Sequence, residues 1–367
     1  MKGSIPGIDL ARIAAAFMVM LYHFFYWNMQ NPEYDARFSG AAAPGFREFM
    51  HFGWIGVEIF FVISGIVIHR SASRSSSTRF LSNRILRLAP AVWICAPISI
   101  LCGILLGNIS PDDFVWPLLN GLFFEPLGPW PDGVYWTLGI ECAFYMLTFV
   151  CLALGRFDLL MPLVLILSAV STACWVMYFF FHESWPILQA LPDNRLFQLG
   201  LLRHAPFFAI GILLSELRSN RKLGPLLWLG ALYSTVGCLG EIWVANHGIN
   251  LLVKDHVSAQ VPILVWTAFI ILLGLSTLYQ KETVQGQIER RLGLATYPLY
   301  LVHGQLGVLV ATASRDSGLA AIASIGLGVL VSFALSFVIA LWAEPWVAQR
   351  MRRIIDLFAS VFATRTG

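Results

Sequence analysis

Residues 52–70 read FGWIGVEIFFVISGIVIHR, an apolar run broken by one carboxylate, Glu58, and closed by His69 and Arg70. An α-helix needs about 20 such residues to cross a hydrocarbon core. Working outward, nine further apolar stretches predict spans at 8–27, 86–107, 134–154, 158–180, 199–217, 225–245, 260–279, 293–312 and 319–343. The composition agrees, because 57% of the 367 residues are hydrophobic and only 12% are charged, about half the charge of a soluble domain. Mean hydropathy is +0.71. The sequence therefore predicts an all-α, polytopic membrane helix bundle of about ten transmembrane helices. Asp9 and Arg12 interrupt the first stretch, so it reads as a retained span and not as a cleaved signal peptide.

A net charge of +3 with scattered carriers excludes a nucleic-acid binder. The six cysteines lie in apolar runs without metal-ligand spacing, so they read as small core hydrophobes and no metal is expected. Phosphate-binding glycine loops and a Gly-x-Ser-x-Gly elbow are absent, which argues against nucleotide hydrolysis, Rossmann redox chemistry and a serine-hydrolase triad. With ten spans, one side collects Lys2, Arg70, Arg74, Arg79, Arg84, Arg87, Arg156, Arg218, Arg221, Lys222, Lys281, Arg290, Arg291, Arg350, Arg352, Arg353 and Arg365. That is 17 of the 24 basic residues, and positive-inside bias places both termini in the cytoplasm. The outer connection 108–133 carries Asp112, Asp113, Glu125 and Asp132, and its 114–124 stretch predicts an interfacial or re-entrant piece. Residues 1–344 form one transmembrane domain in this reading. Residues 345–367, with Val347, Met351, Ile354, Ile355, Phe358 and Phe362 at helical spacing, form an amphipathic tail on the inner membrane surface.

Ionisable groups within spans are costly and mark functional candidates. Arg12 and His23 are eleven residues apart, so they share a helix face and lie roughly 16 Å apart along the axis. Arg12 could equally pair with Asp9 at i, i+3, and His23 could be an interfacial histidine. Glu58 and Glu141 sit six and seven residues from the outer ends of spans 2 and 4, at the depth of His23. A carboxylate beside the imidazole would orient it, while the alternative is a hydrogen-bond cluster that holds helices together. His303, after Tyr297 and Tyr300, is a second polar contact or a packing histidine. Arg84 and Arg87 stand one turn apart at the inner mouth of span 3, as phosphate ligands or as positive-inside anchors.

Read together these landmarks resemble the acyltransferase family 3 membrane proteins, bacterial enzymes that O-acylate surface glycans and some small molecules. The likeness runs over nearly the whole chain: Arg12 to Tyr22-His23, matching the family's Arg-x10-His, and Phe60-Phe61-Val62-Ile63-Ser64-Gly65. Next come Arg84-Ile85-Leu86-Arg87 before Pro90, and Tyr135-Trp136-Thr137-Leu138 leading to Glu141 and Tyr145. Tyr300-Leu301-Val302-His303 and Glu344-Pro345 complete the series. Thr137 and Thr296 stand where Ser is usual, and Ala89 where Tyr is common. The lack of a further extracytoplasmic domain resembles the family's stand-alone type.

The resemblance implies a multi-pass O-acyltransferase of the bacterial inner membrane, most often an O-acetyltransferase. It would move an acyl group from cytoplasmic acyl-CoA, with acetyl-CoA the expected donor, to a hydroxyl of a glycan or lipid-linked saccharide, with no permanently bound cofactor. His23 with Glu58 or Glu141 would be catalytic, as general base or transient acyl carrier. Arg12, Arg84 and Arg87 would bind the donor, and Trp136, Tyr300 and His303 the substrate. Expected partners are acyl-CoA, the saccharide acceptor and membrane lipid, without nucleic acid, and no oligomeric state is implied. The rival readings are a transporter or flippase of a polysaccharide precursor using the same polar column, and a non-catalytic assembly subunit.

Overall fold

The computed structural model describes residues 7–41, 45–219, 224–254, 256–279 and 287–363. Of the expected inner-side basic residues, Lys2, Arg221, Lys222, Lys281 and Arg365 lie outside the described residues, as do the side chains of Phe358 and Phe362. Among the described residues all regular structure is helical. The α-helices are α1 Ile8–Tyr22, α2 Pro32–Phe38, α3 Phe46–Met50, α4 Gly56–Ala72, α5 Ser77–Leu105 and α6 Val115–Leu122. They continue with α7 Trp136–Ala153, α8 Leu160–Phe181, α9 Pro186–Ala190, α10 Arg195–Leu199, α11 Ala205–Arg218 and α12 Pro225–Val253. The last are α13 Gln260–Tyr279, α14 Gln287–Val302, α15 Gln305–Asp316, α16 Ala321–Val338 and α17 Glu344–Ala363.

All ten apolar stretches fall largely on helix, and among the described residues seven helical segments are long and apolar enough to cross a membrane. An eighth results if α14 and α15, bent by 71° at their junction, count as one broken span. The 199–217 stretch yields only the 14 residues of α11, about 21 Å of helix. Its side chains are nearly all buried among other helices, so its apolar character is that of a core. The 260–279 stretch forms the 20 residues of α13. The expected interfacial piece is the eight-residue α6, which packs on α5 with Trp93 Nε1 donating to the Leu122 carbonyl at 3.0 Å. The chain expected to open a surface tail at 345 continues α16 through a π turn, Ile339–Ala343, into α17.

Outward faces carry Leu226, Trp228, Leu252, Leu330 and Trp342, each more than half exposed, which is the reverse of a soluble surface and suits lipid. α4 and α11 cross with their backbones in close approach. A Cβ added to Gly65 would stand 3.0 Å from the Gly211 Cα, and one on Gly211 would stand 2.9 Å from the Gly65 Cα. Backbones meet here because neither position carries a side chain, the small-residue packing that holds helices where no hydrophobic force acts between them. Hydroxyls supplement such contacts, as where Ser168 and Ser234 bond at 2.8 Å between α8 and α12.

Gly211→Ala should therefore destabilise the bundle by about 1–3 kcal/mol, the usual cost of overpacking. Gly40→Ala, with open space around its added Cβ, should leave stability unchanged. Thermal unfolding of the detergent-solubilised protein compares the two.

Candidate active site

Two compartments meet in the bundle. The first is a cavity of about 110 Å³ with Arg12 of α1, Ser64 of α4, Arg84 and Arg87 of α5, Glu141 and Tyr145 of α7 and Tyr297 and Tyr300 of α14 on its wall. Three guanidinium groups thus face it, with Glu141 the one carboxylate in its lining. Arg12 pairs with Asp9 at 3.1 Å, the local i, i+3 geometry. Arg87 pairs with Glu344 at 3.2 Å and lies 5.5 Å over the Tyr297 ring. Arg84 lies 5.7 Å over the rings of both Phe80 and Tyr145, and its buried Nε has no acceptor among the described residues. Cation–π contact holds the Arg84 plane, leaving a guanidinium with spare donors for an anionic ligand.

The second compartment is an open cleft of about 1080 Å³, with His23, Trp27, Glu58, Asp132, Trp136 and Arg203 on its wall. Where α1 ends, a π turn spans His23–Trp27, a distortion common at functional sites. His23 Nδ1 lies 2.8 Å from the Val19 carbonyl and 3.1 Å from Nε2 of His303, with ring centroids 4.9 Å apart. His303 is set by the break between α14 and α15. At that break Asp132 Oδ2 accepts from the Gln305 backbone N–H at 3.0 Å, and its Oδ1 accepts from the Val134 N–H at 3.3 Å. Gly304 leaves room for this carboxylate, because a Cβ there would stand 3.0 Å from the Asp132 carboxyl carbon. Asp132 thus caps α15 from another segment.

The carboxylates matched in depth with His23 turn to other partners. Glu141 accepts from the Tyr145 hydroxyl, and from Ser64 Oγ at 3.5 Å. Glu58 faces His204, Oε2 to Nδ1 at 3.5 Å. His204 in turn lies beside Trp136 with the rings tilted by 44° and centroids 5.8 Å apart. Arg203 reaches Glu241 at 2.9 Å. Glu58, His204 and Glu241 place three potential ligand atoms within 4.8 Å of one another, with Arg203 already neutralising Glu241.

The arrangement redraws the expected site. Arg12, Arg84, Arg87, Glu141 and Tyr300 share the cavity, while His23, Glu58, Trp136 and Tyr300 line the cleft. The group brought against His23 is His303 and neither glutamate, because α1 packs on α14 whereas Glu58 is on the face of α4 toward α11. His303, expected among the substrate contacts, is 1% exposed and lies behind His23. Asp132, Arg203, His204 and Glu241 are additions. Glu241 carried the same signal as Glu58, a carboxylate within an apolar run, and Asp132 carried that of a cap before the helix at 133. Nothing in the order of residues marked Arg203 and His204 as its partners.

A search against protein families matches residues 5–341 to the acyltransferase domain of family 3, so the chain belongs to the acyltransferase family 3. An O-acetyl transferase of Shigella phage Sf6 is 32% identical over 164 residues, covering 40% of this chain and 45% of the relative. Nodulation protein 10 of Rhizobium leguminosarum bv. viciae is 27% identical over 238 residues, 55% of this chain and 60% of that protein. The chain thus spans about half the length of the curated relatives it matches. No solved structure matches it.

Val57 and Tyr300 line both compartments and form the partition between them. The Tyr300 hydroxyl is held 3.1 Å from Thr137 Oγ1 and 3.1 Å from the Val134 carbonyl. Replacing Tyr300 with Ala should join the two spaces. In a Cys-free background, a Ser64→Cys thiol should stay unlabelled by an impermeant maleimide added on the cleft side, and become labelled once Tyr300→Ala is introduced.

Proposed function

We propose that the protein is an O-acyltransferase of the bacterial inner membrane that moves an acetyl group from cytoplasmic acetyl-CoA to a hydroxyl of a glycan or lipid-linked saccharide. The observation that carries this reading is the shared wall between an arginine-lined cavity and a histidine-bearing cleft. Positive-inside bias turns the cavity end, with Arg12, Arg84 and Arg87, toward the cytoplasm, where acyl-CoA is made. The donor's phosphates fit the guanidinium groups, and its thioester end points to the partition. Trp136 offers an aromatic face on the cleft wall for a sugar ring. The relative called an O-acetyl transferase supports acetyl as the group transferred.

His23 is the base in this scheme. As the acceptor hydroxyl attacks the thioester carbonyl, its proton goes to His23 Nε2 and a C–O bond forms. The C–S bond then breaks, and the leaving thiolate takes the proton from His23, so no cofactor beyond acyl-CoA is consumed. A transient acyl-His23 would use the same nitrogen but give ping-pong kinetics.

General-base work contributes about 10²–10⁴-fold in rate. His23→Asn keeps a neutral hydrogen-bonding group without a proton-exchanging nitrogen, so the folded variant should lose transfer by at least the lower figure in an assay of acetylated acceptor by mass spectrometry. Wild-type turnover by His23→Asn would refute the role of His23. On the donor side, Lys in place of both Arg84 and Arg87 keeps charge and loses the planar fork. The double variant should raise the KM for acetyl-CoA about tenfold or more, in line with lost charge-assisted hydrogen bonds, with little change in the KM for acceptor.

A further inference from the structure

We infer that His303 is the positioning residue for His23, fixing which of its nitrogens is basic and sharing the charge that forms when it takes a proton; the catalytic part of this inference rests on the proposed function. The orientation follows from what each partner can do. A carbonyl oxygen only accepts, and His303 Nδ1 lies 2.9 Å from the Tyr300 carbonyl and 3.2 Å from that of Leu299. Nδ1 of His303 therefore carries the hydrogen. In the neutral ring Nε2 is then a pure acceptor, and it lies 3.1 Å from His23 Nδ1. That nitrogen faces the Val19 carbonyl as well, at 2.8 Å, so it too must carry its hydrogen, which is shared between two acceptors. The lone pair of His23 is consequently on Nε2, and His23 is the histidine on the cleft wall.

A carbonyl at Val19 alone would set the tautomer. The second acceptor adds what a helix carbonyl cannot, a base on the same hydrogen. When Nε2 takes the acceptor's proton, the imidazolium's Nδ1 hydrogen strengthens its bond to His303 Nε2, and the positive charge spreads over two rings in a site where water does not reach the second one. His303 is 1% exposed and absent from both compartment walls, so it acts through His23 and not on substrate. The bend of 71° immediately after His303 and the capping of α15 by Asp132 hold the second ring in place. An orienting partner of this kind is the usual companion of a catalytic base, here supplied by an imidazole where a carboxylate is more familiar.

Two measurements test this on the intact protein. In protein labelled with ¹⁵N-histidine, solid-state NMR should show a through-hydrogen-bond coupling between His23 Nδ1 and His303 Nε2, with His23 Nε2 unprotonated; a protonated His23 Nε2 or no coupling overturns the inference, whatever the reaction proves to be. In the transfer assay, His303→Phe should lower kcat by on the order of 10²-fold, the scale of a misplaced catalytic group, with the KM values for donor and acceptor near wild type. His303→Gln, whose side-chain oxygen can take the place of Nε2 as acceptor, should restore much of that loss. Wild-type kcat in His303→Phe while His23→Asn is inactive would show that His23 works without this partner. Activity in His23→Asn would instead sink the proposed function and leave the NMR result to stand by itself.

Discussion

A charge left without a partner in hydrocarbon costs several kcal/mol, and the helices of this bundle are tied to one another where that cost is met. Arg203 and Glu241 join the mouth of α11 to α12, Glu58 and His204 join α4 to the same mouth, and Arg87 and Glu344 join α5 to α17. Each of these contacts crosses between helices and is largely buried. Each also stands at the edge of a compartment. Arg87 is on the cavity wall and Glu58 and Arg203 are on the cleft wall, so the groups that hold helices in register are the ones that give the two spaces their polarity. Breaking one partner of such a pair leaves the other charge buried alone, which is far costlier than never having had the pair.

Irregular backbone is used with the same economy. A continuous helix through 287–316 would carry the residues after His303 away from Asp132. The break at 303–304 frees the first N–H groups of α15, and the carboxylate of Asp132, from the segment before α7, accepts one of them. The π turn at His23–Trp27 does the corresponding work on α1. Both distortions lie beside the histidine pair and against protein or an aqueous cleft, which is where a membrane protein tolerates departures from regular hydrogen bonding.

These features explain which parts of the molecule could be read from the order of residues. Hydropathy finds a helix regardless of what surrounds it, so the apolar stretches map onto the helices, while the central α11, at 14 residues, misses the length of a span. The Arg12 to His23 spacing holds because it lies within one helix. Depth read from the sequence puts His23, Glu58 and Glu141 at one level, yet Glu141 lines the cavity while His23 and Glu58 line the cleft. Depth says nothing of azimuth, however. Which neighbour a side chain meets depends on which helices pack, and α1 with α14, α4 with α11 and α7 with α5 are pairings that no single stretch encodes. Spacing alone therefore pairs neither glutamate with His23, and the group beside it is His303, 280 residues away in sequence.

The division into two spaces bears on the chemistry more than any one residue does. A thioester approached freely by water would be hydrolysed, and an acceptor admitted freely to the arginine cavity would compete with the donor for its cations. With Tyr300 pinned between Thr137 and Val134, the proposed function would keep donor and acceptor apart except at the one wall the two spaces share. His23 lines the cleft and Arg12, Arg84 and Arg87 line the cavity, so in that scheme the base and the donor's phosphates would stand on opposite sides of the partition. Transfer would then require only the acyl end of the donor to pass Tyr300, which would confine the reactive carbonyl to the place where the His23 imidazole could serve it.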